Sequence, residues 1–381
     1  MTEPQTITRN AELSDLVEIL RGQHARRLDV VVPATKIGAD LGHLVIQGAE
    51  AQIDDDGVTP VDGTYRPTAI CDGGIADKLG IPPGYLARLR RDHLGLYDQN
   101  VNGWLTHPAN LNRKLLVRCF RDDAGGTGVA RAFLSDSYKI IDNLDVLMTA
   151  LDGLRDVGVP VQVTACDLTD RRMYVRVRCD QVAVNAADLV RNYRSPFNGK
   201  SGLDLPMMFA GFEISNSEVG HGAFSIAPRV ILQVCNNGMT SRIDAVRSQH
   251  LGGKLEDGQI DWSSETQEKN LELVRSMTAD AVRAFLSPEW LQKHLATLTA
   301  QAGIEVAKPE ETIKHAAAKL RYTEAQQDDI LRMFIKGGDL TAGGVMHAVT
   351  ASAQNQTDAD LAADMEADAA RVLTLAASYK A

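Results

Sequence analysis

Residues 114–179 read KLLVRCFRDDAGGTGVARAFLSDSYKIIDNLDVLMTALDGLRDVGVPVQVTACDLTDRRMYVRVRC, and this stretch decides the predicted fold. Two apolar runs, KLLVRCF and GVARAFLS, flank a glycine-rich connection, which is typical of a β-hairpin. Residues 143–157 place leucine and methionine at helical spacing, and a second strand pair, residues 159–168 and 171–179, follows. The order strand, strand, helix, strand, strand predicts an α+β fold, in which an antiparallel sheet carries a crossing helix on one face.

The sequence on either side of this stretch predicts further elements. The N-terminal part contains a short amphipathic helix, irregular strands and a helical hairpin. In the C-terminal part Thr323 and Gln326 form a capping-box pair, while Pro288 and Pro309 occupy positions typical of the first turn of a helix. We therefore expect three regions, namely N-terminal strands with a helical hairpin in residues 1–110, the α+β core in residues 111–262, and an all-helical region in residues 263–381.

Composition excludes several classes of protein. The 381 residues are 44% hydrophobic and 24% charged, and no apolar run reaches the roughly 20 residues that a membrane-spanning helix needs. The first residues lack a secretory signal pattern. Five scattered cysteines favour reduced thiols over disulfides or a zinc site. We therefore expect a cytoplasmic protein without a membrane segment, metal or cofactor.

Positive charge is concentrated in the middle of an acidic chain. The whole chain has a net charge of −10, but residues 111–254 carry +3 and residues 255–381 carry −8. Side chains alternate along a strand, so RRMYVRVRC (171–179) presents apolar residues on one face and three arginines with a tyrosine on the other. A loop that mixes basic and aromatic residues follows. Such a surface suits single-stranded nucleic acid, because charges meet phosphates and rings stack on bases. An edge strand protected by charge is the simpler alternative. The predicted contact residues are Arg172, Tyr174, Arg176, Arg178, Arg191, Arg194 and Lys200.

Other motifs are weaker. The end of that loop, Gly199-Lys200-Ser201, resembles the close of a phosphate-binding loop, but Arg194 stands where such a loop needs glycine, so we reject nucleotide hydrolysis there. The helical pair joined by Pro82 and Pro83 resembles a helix-turn-helix with three arginines on its second helix. Inward packing of its apolar positions explains the pair equally well. The three arginines are Arg88, Arg90 and Arg91, and the apolar positions are Leu79, Ile81, Leu86 and Leu89.

A metal site and a catalytic site receive little support from the sequence. Glu218, His221, Cys235 and His250 could converge on a metal ion, but their spacing matches no closed zinc pattern. The sequence has no Gly-x-Ser-x-Gly elbow and no evident pairing of a nucleophile with a base. We therefore predict no catalytic residue, and expect that the protein is not an enzyme.

Four blocks along the chain occur in the order found in a known family. They are residues 81–105, 131–143, 215–252 and 344–354, and the third contains SNSEVG and CNNGM. The chain thus resembles the phage- and plasmid-borne proteins called domain of unknown function 932, although many members have Asn where this chain has His347. The resemblance implies a mobile-element origin and six signature positions of unknown role: Ser215, Glu218, Asn236, Asn237, Gly238 and His250.

Three functional hypotheses follow. The first is a phage protein, acting in the cytoplasm of a bacterial host, that binds single-stranded DNA and assists recombination or annealing. Phage annealing proteins combine a small antiparallel sheet with a crossing helix and assemble into rings or filaments, so a homo-oligomer is expected by analogy. The second is an acidic phage protein that binds and modulates a host enzyme, with its acidic C-terminal region as the contact to a host or phage protein. The third is a metal-dependent enzyme that uses Glu218, His221 and His250.

Overall fold

The computed structural model describes residues 6–54, 57–122, 125–235, 238–241, 245–248 and 264–379. Within these ranges the protein belongs to the α+β class, and every regular element after residue 264 is a helix, so both predictions are confirmed. No helix in the described part of the chain combines the length and the apolar character that crossing a bilayer requires.

The larger of two main sheets is antiparallel throughout its described strands. In spatial order it contains β1 (Thr8–Ala11), β10 (Gln162–Leu168), β11 (Met173–Asn185), β12 (Met207–Asn216), β13 (Phe224–Leu232) and β14 (Gly238–Thr240), and β15 (Val246–Ser248) also pairs with β13.

The smaller main sheet is mixed. Its order is β2 (Arg27–Pro33), β8 (Lys114–Phe120), β9 (Gly128–Ser135), β7 (Gly63–Pro67), β4 (His43–Ile46) and β3 (Ile37–Asp40), with β7 and β9 parallel. A separate ribbon joins β5 (Gln52–Asp54) and β6 (Gly57–Thr59).

Two details of the predicted organisation are wrong. The hairpin of β8 and β9 lies in the smaller sheet, whereas the hairpin of β10 and β11 lies in the larger one. The four predicted strands therefore do not form one sheet with a crossing helix. The predicted boundary between residues 110 and 111 also falls inside the smaller sheet, because β2 pairs with β8 and β7 pairs with β9. Both errors have one cause, because strands that are distant in sequence pair with the outer edges of the two hairpins.

The helices divide between the two sheets. α2 (Ala69–Leu79), α3 (Pro83–Asp92) and α4 (Leu94–Leu105) share an apolar core with the smaller sheet. α1 (Leu13–Arg26) and α5 (Asn143–Val157) share a second core with the larger sheet, and the short α6 (Ala187–Val190) follows β11. The C-terminal region consists of α7 (Ser264–Phe285), α8 (Pro288–Ala302), α9 (Pro309–Leu320), α10 (Glu324–Gly337), α11 (Ala342–Asn355) and α12 (Ala359–Ser378).

The C-terminal helices are part of the core of the larger sheet. Met365 and Val372 of α12 are fully buried in the same apolar cluster as Val175 and Phe212. Local signals define the helix ends, because Thr323 and Gln326 form the predicted capping box. The acidic region is therefore a docked layer of the fold, and one of its helices lies against the strand that carries the arginine row.

Candidate functional site

The charged face of β11 is covered rather than open to solvent. As predicted, Met173, Val175, Val177 and Cys179 pack into the apolar core. Opposite them, Tyr174 is buried and its hydroxyl donates a 2.8 Å hydrogen bond to Asp360 of α12. The expectation that this row faces solvent is therefore wrong for Tyr174 and for Arg176, which is 4% exposed. Helix α12 covers this face because its own acidic side chains pair with the charged groups there.

Arg176 belongs to a buried network of alternating charges. Its guanidinium pairs with Asp167 of β10, and its Nε lies 3.2 Å from Glu213 of β12 and 3.5 Å from Glu366 of α12. Arg229 of β13 binds Glu366 through both terminal nitrogens, and Arg9 of β1 lies 2.5 Å from Asp167. The network contains three arginines and three carboxylates, so its charges balance, as burial requires.

The network shifts the pKa values of Glu366, Asp167 and Arg176. Burial alone would raise the pKa of Glu366, but Arg229 and Arg176 lower it below the ordinary value for glutamate. Burial likewise opposes ionisation of Asp167, yet Arg176 and Arg9 lower its pKa. Burial would lower the pKa of Arg176, and its three carboxylate neighbours raise it instead. All these groups therefore remain charged at neutral pH.

A pocket of about 470 Å³ opens onto this network. Its wall includes the side chains of Arg9, Arg176, Arg178 and Arg229, and Glu366 is the one acidic residue that lines it among those the structure describes. Asp167 and Glu213 pair with the arginines but do not line the pocket. We call this cavity the arginine pocket.

The other two predicted residues of this row, Arg172 and Arg178, stand first and last in the row. Arg178 is half-buried, with its Nε 2.6 Å from Asp180 and its guanidinium 5.2 Å above the ring of Phe209. Arg172 precedes the strand and donates a 2.6 Å hydrogen bond from Nε to the carbonyl of His221. Arg178 therefore lines the arginine pocket, whereas Arg172 holds the loop that contains His221.

The basic loop, residues 191–200, does reach solvent. Arg191, Arg194 and Lys200 are exposed, and the ring of Phe197 is 47% exposed. The loop is braced by hydrogen bonds from the amide of Arg194 to the carbonyl of Gly337 (2.9 Å) and from the amide of Ser195 to the carbonyl of Lys200 (3.0 Å). Arg191 forms an exposed ion pair with Asp188, while Arg194 and Lys200 form none with any residue that the structure describes. A cavity of about 440 Å³ adjoins Arg191 and Arg194.

The signature positions that the structure describes have structural partners. Glu218 is buried, accepts a 2.6 Å hydrogen bond from the amide of Asn143 at the start of α5, and lies 3.5 Å from Arg118 of β8. Ser215 lies within β12 opposite Tyr174. A side chain at Gly238 would collide with the guanidinium of Arg229. Asn236, Asn237 and His250 lie outside the described residues.

The helix-turn-helix and metal hypotheses gain no geometric support. Leu79, Ile81, Leu86 and Leu89 are buried, as inward packing requires. Arg90 pairs with Asp72 and lies 4.1 Å above the ring of Tyr97. Of the residues that the structure describes, no three metal-ligating side chains cluster, and Glu218 is engaged with Arg118 instead.

Sequence reasoning missed most of the buried network. Arg9, Asp167, Glu213, Arg229 and Glu366 were not selected, although each lies in a strand or helix of the fold. A signal was present for the strand residues, because a single charge inside an apolar run, such as Glu213 in MFAGFEIS or Arg229 in IAPRVIL, indicates a buried and paired group. The identity of the partners was not accessible from the sequence alone.

Comparison of the chain with models of protein families, with curated proteins and with solved structures finds no match. The resemblance to domain of unknown function 932 therefore stays a prediction.

Proposed function

We propose that this protein binds single-stranded nucleic acid, with single-stranded DNA of a phage or other mobile element in the bacterial cytoplasm as its natural ligand. The observation that supports the proposal is the basic loop, in which ten residues hold an exposed aromatic ring and three cations, two of them without an ion-pair partner among the residues that the structure describes. Cations of this kind neutralise phosphates, and an exposed ring stacks on a base without regard to sequence. A role in recombination or annealing would follow from such binding.

The binding surface is smaller than the sequence predicts. Tyr174 and Arg176 are committed to α12 and Asp167, so they are unavailable to a strand lying on the surface. Arg191, Arg194, Lys200 and Phe197 remain. Because the protein as a whole is acidic, the loop must attract the ligand locally, and we expect affinity to fall steeply with salt.

The test is the salt dependence of binding to a fluorescent oligonucleotide, measured by anisotropy. Replacing Arg191, Arg194 and Lys200 together by Gln should reduce the slope of log K against log[salt] by about 2, because each phosphate contact to a single strand contributes roughly 0.7. The control replaces Arg155, Arg283 and Lys314 by Gln, which removes the same charge from exposed helical positions. An equal loss in both triple variants, or no binding by the wild type at micromolar concentration, would refute the proposal.

Stacking is tested separately. Phe197→Ala should weaken oligonucleotide binding by roughly 5- to 150-fold, since stacking contributes about 1–3 kcal/mol for each base. Tyr85 of α3, which is equally exposed at 47%, provides the matched control, and Tyr85→Ala should leave affinity unchanged. A similar loss in the two variants would show that Phe197 has no specific role.

A further inference from the structure

Arg176 has a donor that the network does not satisfy. A guanidinium carries five N–H groups in a fixed planar arrangement. Nη1 of Arg176 binds Asp167, and Nε lies near Glu213 and Glu366 without a hydrogen bond of good geometry, while Nη2 makes no hydrogen bond with any residue that the structure describes. The side chain is 95% buried and lines the arginine pocket. Buried donors of charged groups are normally satisfied, so this one points to a ligand.

The polarity of the pocket defines the charge of that ligand. Four arginines reach its wall, where Glu366 is the single acidic residue among the described ones, and Glu366 already binds both terminal nitrogens of Arg229. Asp167 hydrogen-bonds Arg9 and Arg176 from a position that does not line the pocket. The arrangement leaves guanidinium donors, rather than carboxylate acceptors, available to an occupant.

The dimensions of the pocket define the size of the ligand. A volume of about 470 Å³ lies within the range of small-molecule sites and exceeds what a bare inorganic ion fills. The wall also includes three neutral polar residues, Asn10, Gln162 and Thr164, and Ile231 adds an apolar surface. Arginine is the residue that best matches the tetrahedral oxygens of a phosphoryl group, which accept paired hydrogen bonds.

We propose that the arginine pocket binds the phosphoryl group of a phosphomonoester of about nucleotide size, with the guanidinium groups of Arg176 and Arg178 as its donors. The group could belong to a free phosphorylated molecule or to the 5′-phosphate of a single strand. The site is distinct from the basic loop, because α11 connects Thr341 beside the loop to Gln354 in the pocket wall, about 20 Å away at 1.5 Å per residue.

The experiment compares thermal unfolding of the full-length protein in inorganic phosphate and in chloride at equal ionic strength, with affinity taken from the phosphate dependence of Tm. Phosphate should raise the Tm of the wild type. Arg178→Gln should weaken apparent phosphate affinity at least about tenfold, because it removes a charge-assisted donor from the wall. Arg155→Gln, on the exposed face of α5, makes the same change of charge away from the pocket and should behave like the wild type. Far-UV circular dichroism in chloride confirms that each variant is folded.

Two results would overturn the proposal. One is equal Tm values in phosphate and chloride for the wild type. The other is an undiminished phosphate effect in Arg178→Gln, which would indicate an adventitious ion only.

The source of the phosphoryl group is resolved by comparing a 5′-phosphorylated oligonucleotide, its 5′-hydroxyl counterpart and adenosine monophosphate. If the 5′-phosphorylated oligonucleotide binds more strongly than the 5′-hydroxyl one, and Arg178→Gln removes the difference, the ligand is the end of a strand. If only the mononucleotide binds, the ligand is a free phosphorylated molecule. A negative result in the phosphate experiment would not change the salt dependence expected for the basic-loop variants, so each proposal can be refuted without the other.

Discussion

Arg229 and Glu366 lie 137 positions apart in the sequence and meet between β13 and α12. Both side chains are more than nine-tenths buried, and Arg229 also donates to the hydroxyl of Thr240. Desolvation of two charges offsets most of their attraction, so such a pair adds little net stability but is costly to break. The pair therefore specifies where α12 docks more than it stabilises the fold.

We expect Arg229→Met to lower the free energy of unfolding by about 3–5 kcal/mol, because Glu366 and Glu213 would remain charged and buried without a full complement of cations. Glu366→Leu should have a similar effect through Arg229. The double variant should recover most of the loss, which urea unfolding of all four proteins would measure as a coupling energy. Additive losses would contradict this view. Lys314→Gln, in an exposed ion pair on α9, is the control and should be neutral.

At the scale of single elements, some features could be predicted and others could not. The limits of α5, Asn143–Val157, are those that the spacing of its leucines predicts, because helical periodicity is a local property. The alternation along β11 likewise places Met173 and Val175 inward. The pairing of β1 with β10 and the helix that covers the second face of β11 depend on contacts between residues more than a hundred positions apart. For that reason Tyr174 and Arg176, which the sequence predicts to be exposed, are buried, and the sequence does not indicate Glu366 as their neighbour.

The basic loop was the more predictable half of the candidate site. Its exposure follows from Pro196, Asn198 and Gly199, which disfavour regular structure and keep the segment on the surface. The arginine pocket was not predictable, because it forms only where β1, β11 and α12 meet.

Helix α11 carries a buried histidine that couples the helix to the loop region. Nε2 of His347 lies 3.1 Å from the carbonyl of Leu189 in α6, and its ring packs 4.6 Å from that of Tyr193. A carbonyl only accepts, so Nε2 carries the proton of a neutral imidazole. Burial lowers the pKa of His347, although the hydrogen bond to Leu189 and nearby Asp339 oppose this effect.

A histidine whose pKa is lowered on folding binds fewer protons in the folded state, so stability falls as pH drops below the unfolded value of about 6.5. We expect the wild type to lose stability between pH 7.5 and 5.5, by at most about 1.4 kcal/mol for each pH unit below 6.5 from this residue. His347→Gln should flatten that dependence. His24 and His221, whose pKa values burial also lowers, leave a residual slope in both proteins.

Urea unfolding at the two pH values measures this dependence. The control is the same substitution at His93, which is exposed, and it should retain the full dependence of the wild type. If His347→Gln and His93→Gln showed the same pH dependence as the wild type, the buried imidazole would not be the cause.

At the scale of the whole molecule, the two cores are joined by a second buried set of charges. Arg118 of β8 is 2% exposed, pairs with Asp142 at the start of α5, and lies 3.2 Å from Asp29 and 3.5 Å from Glu218. Asp142 and Glu218 belong to the half of the molecule built on the larger sheet, while Arg118 and Asp29 belong to the smaller sheet. Separation of the two halves would break the contacts of Arg118 with Asp142 and Glu218, which are buried in the intact fold.

The acidic C-terminal region is also inseparable from this architecture. Asp360 and Glu366 act as partners of Tyr174 and Arg229, so part of its negative charge is used within the fold. Removal of residues 264–381 would expose the core of the larger sheet, because Val274, Met346 and Met365 lie in it. A search for a protein partner of this region should therefore use surface substitutions in the intact chain rather than truncation.

The charges between the two cores predict that both halves unfold in one cooperative step. Trp104 of α4 reports on the smaller sheet and Trp290 of α8 on the larger one, so variants that keep one of them (with Phe at the other and at Trp262) isolate the two signals. We expect the two urea midpoints to coincide in an otherwise wild-type chain. Arg118→Met should separate them, because it removes the buried cation that pairs with both Asp142 and Glu218 and leaves Arg27 of β2 as a remaining partner of Asp142. Arg155→Gln, which alters an exposed charge on α5, should leave them coincident. Midpoints that already differ in the wild type, or that stay together after loss of Arg118, would show that these charges do not couple the two cores.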